Sequence, residues 1–158
     1  MAYGAIRVYV DLEVVKRILL SEGFYEPLLQ ERKKGQVFGL IKPLNELVEV
    51  HVRGYEDGTL DAEVELSREY LEHLWYKSKP YYGSLIDILR RHNIPFHIVK
   101  PIPPDPMCIE VPRNPTKWKP LVILAVFIIS GLCLLSKVGE SDEKSVSYER
   151  KKLIIHQQ

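Results

Sequence analysis

Between Lys77 and Ser84 the chain reads Lys-Ser-Lys-Pro-Tyr-Tyr-Gly-Ser. Two ammonium groups set just before a helix start are the parts of an anion site, because a helix N-terminus presents free N–H groups to which lysines add charge. Tyr81 and Tyr82 supply rings on which a flat group can stack. Arg90 and Arg91 follow in the next helix and enlarge the basic patch. Lys77, Lys79, Tyr81, Tyr82, Arg90 and Arg91 are thus the expected ligand-binding residues, and the ligand would bear phosphate. The plainer reading of the same stretch is a tight loop between helices, turned by Pro80 and Gly83, with the tyrosines covering the edge of a core.

A second place for chemistry is His51, which alternation puts on one strand face with Glu49, facing Asp61, Glu63 and Glu65 on the next strand. A histidine beside carboxylates can move protons, so a hydrolase using His51 with Glu63 or Asp61 is the least favoured of three readings. Cross-strand ion pairs on a solvated face explain the same residues without catalysis. His73, four after Glu69, reads as part of a solvated helix pair, His92 as a cation at a helix C-terminus, and His97 as an outward strand residue. Neither HExxH nor a P-loop, a GxGxxG or a Ser-His-Asp order occurs. Catalytic residues, a metal and a cofactor are therefore not expected. The two cysteines, Cys108 and Cys133, form no CxxC and indicate neither a disulfide framework nor a zinc site.

The elements that position these groups follow from periodicity. Ile6, Val8 and Val10 alternate as a strand. Asp11 caps a helix whose inner face is Leu12, Val15, Ile18 and Leu19, and Gly23 stops it. Strands are expected at about 36–42, 46–54 and 59–66. The loop Glu56-Asp57-Gly58 suits a type I turn with Gly58 in the left-handed region. That register pairs Arg53 with Asp61, His51 with Glu63 and Val50 with Val64. Ser67 would cap a helix with Tyr70, Leu71, Leu74 and Trp75 facing in. Ser84 with Asp87 resembles a capping box for another, whose inner face is Leu85, Ile88 and Leu89. Asn93 ends it, and Phe96 to Val99 is a last strand. The order β-α-β-β-β-α-α-β predicts a small α+β domain over 1–99, with a mainly antiparallel sheet and helices on one face. Comparison with ferredoxin-like RNA-binding sheets is weak, since the strand count differs and the outer face lacks paired aromatics.

The chain of 158 residues carries a net charge of +1, so composition signals no nucleic-acid partner. Three Asn and four Gln against 43 charged residues match the balance of heat-adapted proteins. Seven of the 11 prolines fall in 100–120, which predicts an extended linker over 100–119, although Met107 to Val111 can also pack back as a strand. Leu121 to Leu135 is uncharged and apolar except for Ser130. Trp118, Lys119 and Lys137 flank it as membrane-interface residues, and the stretch from Trp118 to Lys137 spans roughly 30 Å as a helix. Its Leu, Ile, Val and Phe residues favour insertion by roughly 3 to 7 kcal/mol. A single transmembrane helix is expected over 120–137, with a polar disordered tail over 138–158. Without a signal peptide the domain is expected in the cytoplasm. The chain thus reads as a single-pass membrane protein whose domain binds a protein partner or self-associates at the bilayer surface. The alternative is a tethered binder of a phosphate-bearing ligand or nucleic acid.

Overall fold

The computed structural model describes residues 3–28, 32–107, 109–118 and 120–130. The chain divides into two compact units after Thr116. The first unit contains strand β1 (Ile6–Val8), helix α1 (Leu12–Ser21), β2 (Gln36–Pro43), β3 (Val48–Tyr55), β4 (Thr59–Leu66), a 3-10 turn (Leu71–Trp75), β5 (Lys79–Pro80), α2 (Gly83–Arg91) and β6 (Phe96–Ile98). It is a small α+β domain with an antiparallel sheet. The strand order is β2-β3-β4-β1-β6. Along one edge of β4, β1 pairs with the first half at Ile6↔Leu60 and β5 with the second half at Glu63↔Pro80.

The β3–β4 hairpin forms in the expected register, with Arg53 opposite Asp61, His51 opposite Glu63 and Val50 opposite Val64. Gly58 takes φ +77°, a conformation that disfavours a Cβ, and its N–H donates to the Tyr55 carbonyl at 2.8 Å. Asp57 anchors this loop. Its carboxylate accepts from the backbone N–H groups of Tyr3 and Thr59 and from the Thr59 hydroxyl at 2.6 Å. Burial works against the charge, but these bonds from Thr59 and Tyr3, with Arg7 at 3.8 Å, hold the carboxyl below its ordinary 3.8. A depressed folded-state pKa contributes stability that is present above the unfolded value and lost as pH falls through the folded one. Asp57→Asn is therefore expected to cost about 1 kcal/mol at pH 7. The gap to the wild type should close as the pH falls below 3.8, which urea denaturation at neutral and acid pH would measure.

The core lies between the helices and one sheet face. Val15 and Leu19 of α1 and Leu85, Ile88 and Leu89 of α2 share one cluster with Leu40, Val50, Val52, Leu60, Ala62 and Val64. Asp11 caps α1 as expected, its Oδ1 accepting from the Glu13 N–H at 2.9 Å. Asn93 ends α2 at φ 53°.

Two helix starts depart from expectation. The segment opened by Ser67 forms only a 3-10 turn, because Tyr70 is extended and the Leu71 N–H donates to the Thr116 carbonyl at 2.8 Å. Tyr70 is buried, but Leu74 and Trp75 project outward at 77% and 65% exposure rather than facing in. Helix α2 begins at Gly83 without a side-chain cap from its own first turn. Asp105 supplies it instead, its carboxylate accepting from the N–H groups of Tyr82 at 2.9 Å and Gly83 at 3.1 Å. Asp105 belongs to the proline-rich stretch, and Ile102, Ile109 and Val111 of the same stretch pack against the core. The described residues of 100–116 therefore belong to the first unit and pack on its core.

In the second unit residues 120–130 are helical. Its large apolar side chains are exposed on every side, from 45% at Leu121 to 71% at Phe127. Among the described residues no helix is long and apolar enough to cross a membrane. The expected span 120–137 continues into 131–137. Those residues, Lys119 and the tail 138–158 lie outside the described residues.

Candidate functional site

The six residues expected to bind a ligand do not form one site. Lys77 and Lys79 line a cleft of about 620 Å³ with Glu72, Trp75, Tyr76, Ser78 and residues 110–112. Arg90 and Arg91 line a different one of about 560 Å³ beside α2, with Lys42, Ser84, Asp87 and Ile88. Among the described residues Lys79 has Glu110 at 3.8 Å, Arg90 has Asp87 at 3.9 Å and Arg91 has Glu22 at 2.9 Å. Tyr82 is buried and its hydroxyl donates to Asp61. Burial and that carboxylate raise the pKa of the phenol well above its ordinary value. Tyr81 is half-buried against the core and its hydroxyl accepts from Ser84 at 3.1 Å. Tyr82 is thus held within the core, and Tyr81 packs against it while staying partly exposed.

His92 ends α2 and its Nε2 lies 2.8 Å from Glu22, which Arg91 also meets. The His92 hydrogen bond, with Arg91 alongside, holds the Glu22 carboxyl below its ordinary range. His97 is exposed and stacks on Tyr9 with ring centroids 5.2 Å apart.

The sheet face opposite the helices is not solvated. Arg68, His73 and Ser78, all from the segment after β4, lie across it. Arg68 comes within 3.5 Å of Glu49, and His73 Nδ1 bonds the Leu66 carbonyl at 2.6 Å. The Ser78 hydroxyl donates to Glu63 at 2.9 Å. Beneath them Glu49 is 3% exposed and His51 2%. The reading of His51 as a surface residue is corrected: the cover that buries it comes from a stretch expected to be an amphipathic helix with another orientation. His73 likewise is not on a solvated helix face. Its ring lies 6.4 Å from that of His51, stacked at 28°.

The register of the hairpin was legible, but the polar partners run diagonally across it. Arg53 pairs with Glu63 rather than with Asp61. His51 Nε2 lies 2.8 Å from Glu49 of its own strand and 2.8 Å from Glu65. Burial lowers the His51 pKa, but hydrogen bonds to Glu49 and Glu65 prevail and raise it. Burial raises that of Glu65, and the His51 bond prevails to lower it. Two overlapping sets of metal-type donors result, each with its atoms within 4.8 Å of one another: Glu49, Glu65 and His73, and His51, Glu63 and Glu65. No sequence spacing marks them, because the donors come from two strands and a turn. The alternation Glu-Val-His on β3 facing Glu-Val-Glu on β4 is the signal that was available.

As a proton-transfer centre the cluster has a steric obstacle, since a substrate must reach an imidazole that is 2% exposed. Comparison with protein-family models, with curated proteins and with solved structures finds no match for this chain.

Proposed function

We propose that this chain is a single-pass membrane protein whose small α+β domain, facing the cytoplasm, binds a protein partner or a second copy at the bilayer surface. The observation that carries the reading is the helix over 120–130. Helices α1 and α2 each have a polar side and bury the other. The 120–130 helix has no charged residue, and its apolar side chains are exposed all round. Each Å² of such surface costs about 25 cal/mol in water and little in lipid. The sequence continues apolar to Leu135 before Lys137. A helix that is apolar all round suits a hydrocarbon environment.

The contact surface proposed is the rim of the Lys77 and Lys79 cleft. Exposed Leu74 and Trp75 stand beside it, and an apolar anchor ringed by charge is the usual make-up of a docking surface. Capture of one phosphate-bearing ligand by all six predicted residues is disfavoured, because the lysines and arginines line separate clefts.

Trp75→Phe leaves Trp118 as the single tryptophan and gives the test. In phospholipid vesicles the full chain should show Trp118 fluorescence quenched more strongly by lipids brominated near the headgroup than by lipids brominated at the chain end. Emission unchanged by either lipid would overturn the anchor.

A further inference from the structure

We propose that Glu49, Glu65 and His73, with His51 as a fourth donor, bind one divalent transition-metal ion of the zinc type. The inference is independent of the anchor and of the docking cleft.

Three observations converge. The first is the donor set. Carboxylate oxygens of Glu49 and Glu65 and a ring nitrogen of His73 lie within 4.8 Å of one another, and His51 reaches both carboxylates at 2.8 Å. Two imidazoles and two carboxylates are a ligand set that zinc accepts in tetrahedral geometry at about 2.0–2.2 Å. Ligand atoms then stand on the order of 3.3 Å apart, so the 2.8 Å contacts must open by about 0.5 Å and donors up to 4.8 Å apart must close by up to about 1.5 Å.

The second is the orientation of His73. The Leu66 carbonyl, 2.6 Å from Nδ1, can only accept, so in the neutral ring Nδ1 carries the proton and Nε2 is the nitrogen left to coordinate. A backbone carbonyl fixing the tautomer in this way is the usual outer support of a metal-binding histidine.

The third is that His51 is incompletely satisfied. Its side chain is 2% exposed. Its Nε2 can carry a single proton, yet two carboxylates, each only an acceptor, stand at 2.8 Å from it. One hydrogen cannot give both carboxylates a full bond, whereas a metal ion serves both and draws on the ring as well. Glu63 is already engaged by Arg53 and Ser78, so it is left outside the primary set.

The test uses the full chain, stripped with a chelator and then titrated with zinc and, separately, with cobalt. Expected are saturable binding of one ion per chain, a raised melting temperature, and cobalt visible absorption of a four-coordinate nitrogen–oxygen site. His73→Ala and Glu65→Gln should each weaken zinc binding at least tenfold. His92→Ala, on the Glu22 pair at the end of α2, should leave it unchanged. If either variant fails to fold, the nitrogen-15 shifts of the wild-type imidazoles decide: those of His51 and His73 must move on adding zinc. The proposal is overturned by no saturable binding, by binding that survives both substitutions, or by shifts confined to His92, His97 or His156. The cluster would then be a balanced ion-pair network with His51 as its imidazolium.

Discussion

His51→Leu, measured with a chelator present, is expected to destabilise residues 1–116 by about 3–5 kcal/mol in urea denaturation. Leucine fills nearly the same volume, so cavity formation is a small part of this. What is lost is the donor shared by Glu49 and Glu65, whose side chains are 4% and 13% exposed. A buried carboxylate without its partner cannot recover water, and that desolvation sets the size of the effect. For a domain with total stability of about 5–15 kcal/mol, such a loss comes close to unfolding. Arg90→Ala is the control. Arg90 and Asp87 stand 3.9 Å apart with both side chains at least 70% exposed. Pairs of that kind are worth about 0–1 kcal/mol. Adding Glu65→Leu to His51→Leu should recover part of the loss, since one of the two stranded charges is then gone. A cost for His51→Leu no larger than that of Arg90→Ala would mean that the carboxylates reach solvent or are served by Arg53 and Arg68 alone.

Gly4→Ala should have a comparable effect for a steric reason. A Cβ on Gly4 would lie 2.1 Å from the Leu60 carbonyl oxygen and 2.3 Å from its carbon. Both are backbone atoms held in the sheet, and the same oxygen accepts from the Ala5 N–H at 3.0 Å. The Gly4 N–H donates to the Thr59 hydroxyl at 2.8 Å. Relief therefore requires β1 to draw away from β4. Because β1 stands between β4 and β6, β6 must follow. Overpacking usually costs about 1–3 kcal/mol, and a clash with backbone belongs at or above the top of that range. The melting temperature of residues 1–116 should fall by more than about 10 °C. Gly83→Ala meets an equally short contact, 2.2 Å, but with Asp105 Oδ2 at the end of a side chain. That carboxylate can swing aside, at the loss of a helix cap worth about 0.5–2 kcal/mol. Equal shifts for the two alanines would contradict this distinction.

The parts of the fold that were legible in the sequence are those fixed by neighbours. Alternation in 48–52 and 60–66, with Gly58 three residues past Tyr55, determined the hairpin and its register. The Leu12, Val15, Ile18 and Leu19 stripe determined α1. Where a distant segment intervenes, local signals failed. Ser84 and Asp87 look like a capping box, yet the cap comes from Asp105, over twenty residues on. Tyr70, Leu71, Leu74 and Trp75 have helical spacing, yet Thr116 takes the Leu71 N–H and the helix never forms. The cluster around His51 was visible as residues but not as a site. Strand periodicity says which face a side chain occupies, while Arg68, His73 and Ser78 determine whether that face is dry. Diagonal pairing followed from the same burial, because the long side chains of Arg53 and His51 reach past their direct opposites to the carboxylates with the fewest other donors. Lys77, Lys79, Arg90 and Arg91 cluster in sequence, but the segment entering β5 and helix α2 carry the two pairs to different clefts.

The proposal that the apolar helix lies in a bilayer is tested most directly by extraction of membranes at alkaline pH without detergent. The full chain should stay in the membrane pellet and be released only by detergent. The chain ending at Thr116 should be soluble and folded, with its helices and sheet visible by circular dichroism. Release of the full chain into the aqueous supernatant, in a folded and unaggregated state, would contradict the membrane anchor and with it the assignment of the domain to the membrane surface.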